Sequence, residues 1–166
     1  APKQELKAYV NLFFQLNMQV VRTDIPPLAL HRLYYYRKYD DMNVHFETDI
    51  MFLGVFDDSY SMYIFDEEIP IFSLVQNINV ADLEGEKYLE LLDSEVAKIA
   101  NYYKFNMYSG DRQIEKLVLF NLTTKFTNEE VQAFFYEEGS LIKVDVFNMK
   151  SISKIVDTLI DKECYI

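Results

Sequence analysis

The chain has 166 residues, a formal net charge of −11, 50% hydrophobic content and 13 each of Tyr and Phe. That is too apolar for disorder, and with only four Gly and four Pro it is too poor in breakers for a low-complexity segment. A chain of this length buries roughly 70% of its unfolded surface and needs no staple, while its charge argues against nucleic acid and anionic membrane surfaces, both of which select Lys and Arg.

One domain over 1–166 is expected, with room for two small lobes, 1–48 with 77–166 around a β-meander at 49–76. Lys3 to Asn17 reads as an amphipathic helix, because Leu6, Val10, Phe13 and Phe14 recur at helical spacing and Leu16 extends the stripe. Gln19 to Ile25 is a β-branched run that predicts a strand, stopped by Pro26-Pro27, since proline donates nothing to a ladder. Pro27 can open the next helix, which reaches Arg37 on Leu28, Leu30, Leu33 and Tyr34 and ends at Asp40-Asp41.

Asp49–Phe56, Ser59–Phe65 and Ile69–Gln76 read as a three-strand meander, joined by the acidic turns Asp57-Asp58 and Asp66-Glu67-Glu68. Asp82 to Met107 is the longest predicted helix. Asp82 is its cap, Glu84 and Glu86 lie in the first turn where the dipole favours anions, and Glu95 interrupts its apolar stripe. Gly110 marks a turn, and Glu115–Phe120 reads as a buried strand. Thr127 with Glu130 makes a capping box, Gly139 ends that helix, Leu141–Phe147 is a further strand and Ser151–Leu159 a closing helix. A helix between two strands in the back half predicts a parallel, right-handed β-α-β unit. The fold class is α/β, a mixed β-sheet with flanking helices.

Chemistry is sparse. Asp24, Asp49, Asp57 and Asp58 fall near strand ends, and nucleases of the RNase H type gather such acids around two metal ions. The competing reading is turn chemistry, because Asp57-Asp58-Ser59 is a good turn sequence and a nuclease should also carry a basic track. His31 and His45 have no metal-ligand spacing. Cys164 is the single cysteine, which suits a reducing setting and an inert thiol. Nothing resembles a nucleophile elbow, a Walker A loop or G-x-G-x-x-G. The Asn121-Leu122-Thr123 sequon overlaps a strand end and is discounted. No catalytic residue, metal or cofactor is expected.

Surfaces are better candidates. A helix cannot point Tyr34-Tyr35-Tyr36 at one core, so Tyr35, Tyr36 and Arg37 are expected to form a contact patch, unless the rings cover a groove edge within the domain. Asp57, Asp58, Asp66, Glu67 and Glu68 are candidates for meeting a basic partner. Around Phe134-Phe135-Tyr136, the acids Glu129-Glu130 and Glu137-Glu138 suggest a buried aromatic face with a solvated rim.

The runs VVRTDIPPLALHRL at Val20–Leu33, YIFDEEIPIFSLVQNI at Tyr63–Ile78 and IEKLVLFN at Ile114–Asn121 carry a resemblance. In that order, after the helix opened by Ala1-Pro2-Lys3, the chain resembles the actin-like cytoplasmic proteins of type IV pilus and type II secretion machines, the PilM and GspL kind, with short divergent forms such as the bundle-forming pilus protein BfpC. The resemblance implies a partial actin-like ATPase fold, which shares the RNase H-like layout. Where the family holds an Asp-x-Gly and a later Ser or Thr, this chain has Gly54, Phe56 and Tyr60; where the family holds Gly-Gly, it has Asn121-Leu122. Those departures imply a degenerate nucleotide site. What then remains is a non-enzymatic scaffold of the inner-membrane assembly platform in type IV pilus biogenesis, docking the hexameric assembly ATPase and other platform proteins. A homodimer is compatible with that role.

The implied location is the cytoplasmic side of the bacterial inner membrane. No stretch approaches 18 uncharged apolar residues, so any anchor is expected outside this chain, after Cys164-Tyr165-Ile166. The start at Ala1-Pro2-Lys3, without Met or a signal pattern, is expected of a piece of something longer. Two alternatives stand beside the scaffold: an actin-like ATPase or GspL-type linker that retains nucleotide binding, and a metal-dependent RNase H-like nuclease.

Overall fold

A six-residue strand without a polar side chain runs through the centre of the protein. This strand, β1 (Ile50–Val55), is buried along its whole length, which a continuous apolar run achieves only when both of its faces are covered. The computed structural model describes residues 3–18, 25–36, 47–78, 85–136 and 142–147. Within them lie α1 (Lys3–Gln15), α2 (Pro26–Tyr36), β1, β2 (Ser59–Asp66), β3 (Ile69–Asn77), α3 (Glu86–Tyr102), β4 (Lys116–Asn121), α4 (Asn128–Phe135) and β5 (Lys143–Phe147). Strand bounds differ from the sequence expectation by a residue or two.

The five described strands form one sheet in the order β3-β2-β1-β4-β5. The meander β1-β2-β3 is antiparallel, while β1 with β4 and β4 with β5 are parallel. α4 lies between β4 and β5 in the chain, so the expected parallel β-α-β unit is present. This is an α/β fold with a five-stranded mixed sheet and flanking helices, in the RNase H-like arrangement.

Alternation along β1 divides the core in two. Met51, Leu53 and Val55 pack with Met62, Ile64, Leu117 and Leu119 against Tyr88, Leu92 and Val96 of α3 and Val131 of α4. Ile50 and Phe52 pack on the other face with Phe65, Val118, Phe120 and Phe147 against Tyr34 and Tyr35 of α2. The Phe52 ring is central there, 5.2 Å from Phe65, 5.5 Å from Tyr34 and 5.9 Å from Phe120.

Tyr34 and Tyr35 correct the expected contact patch. Both rings are buried, Tyr35 completely, because their polar tips reach a single acidic residue at the rim. Tyr34 Oη donates to Glu47 Oε2 (3.4 Å), Glu47 N donates to Tyr35 Oη (2.9 Å), and Lys116 Nζ pairs with the same carboxylate at 3.0 Å. Burial pushes the Tyr35 hydroxyl up to about 12. Tyr35 is therefore a core residue and no surface anchor; the Tyr36 side chain and Arg37 lie outside the described residues.

α3 begins at Glu86, with Gly85 (φ +56°) in the N-cap position, later than the expected Asp82 start; Asp82 itself is outside the described residues. Glu95, the interruption in the α3 stripe, pairs with Lys98 Nζ on its own helix and acts on Tyr60 of β2. Burial first, and then Glu95, push that phenol up to about 12. The helix widens into a π-helical turn over Tyr103–Met107 and stops at Gly110, whose φ is +98° and whose N–H donates to Lys104 O at 2.7 Å. The Thr127–Glu130 capping box is present, with Thr127 N donating to Glu130 Oε2 (2.7 Å) and Glu130 N to Thr127 Oγ1 (3.2 Å). α1 is helical as its spacing predicts, but none of its residues is buried. The expected strand Gln19–Ile25, apart from Ile25, and the expected helix Ser151–Leu159 lie outside the described residues, as do Asp24, His45, Gly139 and Cys164.

The two-faced core sets a ranking of mutational costs. Phe52→Ala should destabilise the protein by about 4 kcal/mol through lost burial and a cavity, and Thr127→Ala by about 1 kcal/mol through loss of one cap. Urea unfolding checks this; comparable losses in the two variants would contradict the central role of β1.

Candidate functional site

In an open α/β sheet the place for a ligand is the crevice outside the carboxyl ends of neighbouring parallel strands whose connections leave in opposite directions. Here that is the end of β1 and β4, where Val55 lies beside Asn121 and Leu122 N donates to Val55 O at 2.9 Å. Gly54, Phe56, Tyr60, Asn121 and Leu122 all lie at this end.

The crevice is filled by its own side chains. A Cβ on Gly54 would stand 2.7 Å from Ser61 Oγ, 3.5 Å from the Phe56 ring and 3.7 Å from Leu30 of α2. Asn121 Nδ2 donates to Phe126 O (3.0 Å) and Asn121 Oδ1 accepts from Thr123 N (3.3 Å), so this side chain shapes its own loop. Tyr88 Oη lies 3.0 Å from both Phe56 O and Ser59 O and closes the β1–β2 turn from below; burial raises its pKa. Phe56 and Leu122 are left partly exposed at the rim, at 39% and 37%.

Asp57 is tied across this end. Its Oδ1 accepts from Thr123 Oγ1 (2.6 Å), Thr124 N (2.8 Å) and Thr124 Oγ1 (3.2 Å). The Thr123 hydroxyl, then the Thr124 amide, hold its carboxyl below the usual range. Asp58 is exposed and accepts from Ser59 Oγ at 3.0 Å.

Asp49 belongs to the opposite end. It precedes β1 with φ +58°, and its Oδ1 accepts from Arg112 Nε at 2.8 Å and from the Tyr103 hydroxyl. The same guanidinium grips Asp66, at the end of β2, through Nη1 (3.1 Å) and Nη2 (2.8 Å), and lies 4.5 Å from the Tyr108 ring centre. The Arg112 bond holds the Asp66 carboxyl below its ordinary range, and burial followed by Asp49 raises the Tyr103 phenol. Asp66, a candidate for a foreign basic partner, is thus engaged within the chain. Glu67 and Glu68 are exposed.

Asp49 and Asp57 are separated by the whole of β1, roughly 20 Å at strand rise, so the acids do not gather. Among the described residues no group of three or more His, Cys, Asp or Glu could hold a metal ion. His31 is buried between rings, 4.5 Å from Phe65 and 4.6 Å from Tyr35, with Nε2 3.0 Å from Glu67 O. Arg112, Tyr103, Thr123, Thr124 and Tyr88 organise these two ends and escaped sequence reasoning. Each acts on a partner 29 or more positions away, and no local pattern announces that.

No family model matches the chain. Among curated proteins it is 31% identical over 127 residues to Polyprotein-FSD of Solenopsis invicta virus 3, a match that takes in 74% of this chain and 4% of the polyprotein. The chain therefore spans a small fraction of that relative's length. Among solved structures it is similar to the foamy viral protease-reverse transcriptase dRH in complex with ds DNA (9% identity, TM-score 0.34, 72% of this chain and 25% of that one). It is also similar to the native Prototype Foamy Virus Protease-Reverse Transcriptase (10% identity, TM-score 0.40, 86% and 21%). Likenesses at these TM-scores carry no argument about activity.

The viral match overturns the pilus and secretion resemblance. With it go the assembly-platform scaffold, the assembly ATPase and platform proteins as partners, and the bacterial inner membrane as location. The resemblance failed because it rested on element order and a few short runs, which any mixed sheet of this topology supplies. Among the described residues no helix is long and apolar enough to cross a membrane.

Two outcomes test the electrostatics. Arg112→Met should cost about 2 kcal/mol, since two carboxylates lose charged hydrogen bonds. Because the folded pKa of Asp66 is depressed, its contribution is present above the ordinary value of 3.8 and is lost as pH falls through the lower folded value. The acid limb of the stability curve should therefore flatten in this variant, which denaturant titration at several pH values will show.

His31 works in a different window. Burial lowers its pKa below 6.5, so the unfolded chain takes up a proton that the folded one refuses, and stability falls as pH drops from 6.5 towards the folded value. Thermal melts at about pH 7.5 and about pH 5.5 should show a drop in the wild type that shrinks in His31→Gln.

Proposed function

We propose that this chain is a non-catalytic module of RNase H-like fold from a viral polyprotein, acting by contact with other molecules. The observation that carries this reading is the placement of the acids. Asp49 is held by Arg112 at the amino end of β1 and Asp57 by Thr123 and Thr124 at the carboxyl end, so these two carboxylates do not share a metal ion, and no acidic cluster for one exists among the described residues. Gly54, at the carboxyl end of the central strand, is roofed by Phe56 and Leu30. The similarity to Polyprotein-FSD supports the viral origin.

The strand order favours one other reading, a metal-dependent nuclease of RNase H layout. An assay with Mg²⁺ or Mn²⁺ on single-stranded RNA, duplex DNA and an RNA–DNA hybrid separates the two. The contact-module reading expects no cleavage above buffer and no effect of Asp49→Asn or Asp57→Asn. Cleavage that either substitution abolishes would establish the enzyme.

A further inference from the structure

We propose that the outer edge of β3 is a strand-addition site for an extended polypeptide with an uncharged centre and Lys or Arg at both ends. The inference holds whether or not the module is silent as a nuclease.

Among the described residues β3 is the edge of the sheet on its side, nine residues long, and its sequence IPIFSLVQN contains no charge. Ile78 N donates to Asp58 O at 2.8 Å, and the register continues with Gln76 opposite Tyr60 and Leu74 opposite Met62. In an antiparallel ladder, bonded and non-bonded pairs alternate. The N–H and C=O groups of Ser73, Val75 and Asn77 therefore point away from β2, and among the described residues no strand takes them. Those three residues are exposed, Val75 at 63%.

Natural edge strands are usually blunted by charge, proline or a bulge. Here Pro70 and the irregularity at Ile64/Phe65 guard only the first residues; from Ser73 to Asn77 no charge, proline or bulge blunts the strand, and Gln76 Nε2 reaches Asn77 O at 3.3 Å.

Charge selects the occupant. At the start of β3 stand the exposed Glu67 and Glu68; at its finish the Ile78–Asp58 bond brings up the exposed Asp57-Asp58 turn. The uncharged edge is thus bracketed by two acidic pairs, roughly 30 Å apart at strand rise. A foreign strand gains main-chain hydrogen bonds along the edge and favourable charge at either end. A second copy of this chain is disfavoured, because either direction of β3–β3 pairing sets acidic turn beside acidic turn.

The test uses a fluorescent peptide of alternating Thr and Val with two Lys at each end, read by anisotropy against the full chain. Saturable binding in about the micromolar range is expected. It should weaken about tenfold in the Glu67→Lys, Glu68→Lys double variant and as salt rises. Binding should vanish when alternate peptide amides are N-methylated, and in Val75→Pro, which removes an outward N–H and no bond to β2; circular dichroism checks that this variant folds. Equal binding of an acid-ended peptide, indifference to N-methylation, or absence of saturable binding overturns the proposal. So does concentration-dependent self-association in sedimentation that Val75→Pro abolishes.

Discussion

Arg112 holds three parts of the chain at one point: the residue before β1, the last residue of β2 and the connection that leads into β4. β1 and β4 are far apart in sequence, so their pairing costs loop-closure entropy before any contact is gained. One guanidinium gripping Asp49 from the segment just before β4 sets the register at the start of the ladder. Backbone bonds then extend it, with Glu115 N donating to Asp49 O and Lys143 N to Glu115 O. The sheet opens at that end as three parallel strands in line, and both cores form on the faces so created.

Much of this order was legible. The β1–β3 meander, the buried run before Asn121, the Thr127 capping box and the parallel β-α-β unit follow from alternation, turn residues and local capping, all of which act over a few positions. Contacts across the sheet were hidden. Nothing near Arg112 says it will span two acids, and nothing in Tyr34-Tyr35 says that Glu47 and Lys116 wait at the rim to satisfy adjacent rings. Glu95 looked like a flaw in the α3 stripe until Tyr60 was seen beside it. α1 shows the reverse: its helical spacing was plain, yet spacing alone could not tell that Phe14 would stand 77% exposed.

The candidate site was legible as a place and misread as a history. Gly54, Phe56, Tyr60, Asn121 and Leu122 do converge at the carboxyl ends of β1 and β4, because that convergence is a property of the topology. Attaching a family to the convergence was the error, since short runs in the right order are what shared topology produces. Asp24, Asp49, Asp57 and Asp58 were weighed together because all fall near strand ends; Asp49 and Asp57 flank β1 at its two opposite ends, and each has its own partner there.

Gly54 limits what this protein could become. A first side-chain carbon there would stand 2.7 Å from the hydroxyl of Ser61, itself only 4% exposed, with Phe56 and Leu30 in van der Waals contact. An aspartate installed at that point would be stripped of solvent and held as the neutral acid. Evolving metal chemistry on the middle strand would therefore demand a change at Ser61 first, and room beside Phe56 and Leu30 for the new carboxylate.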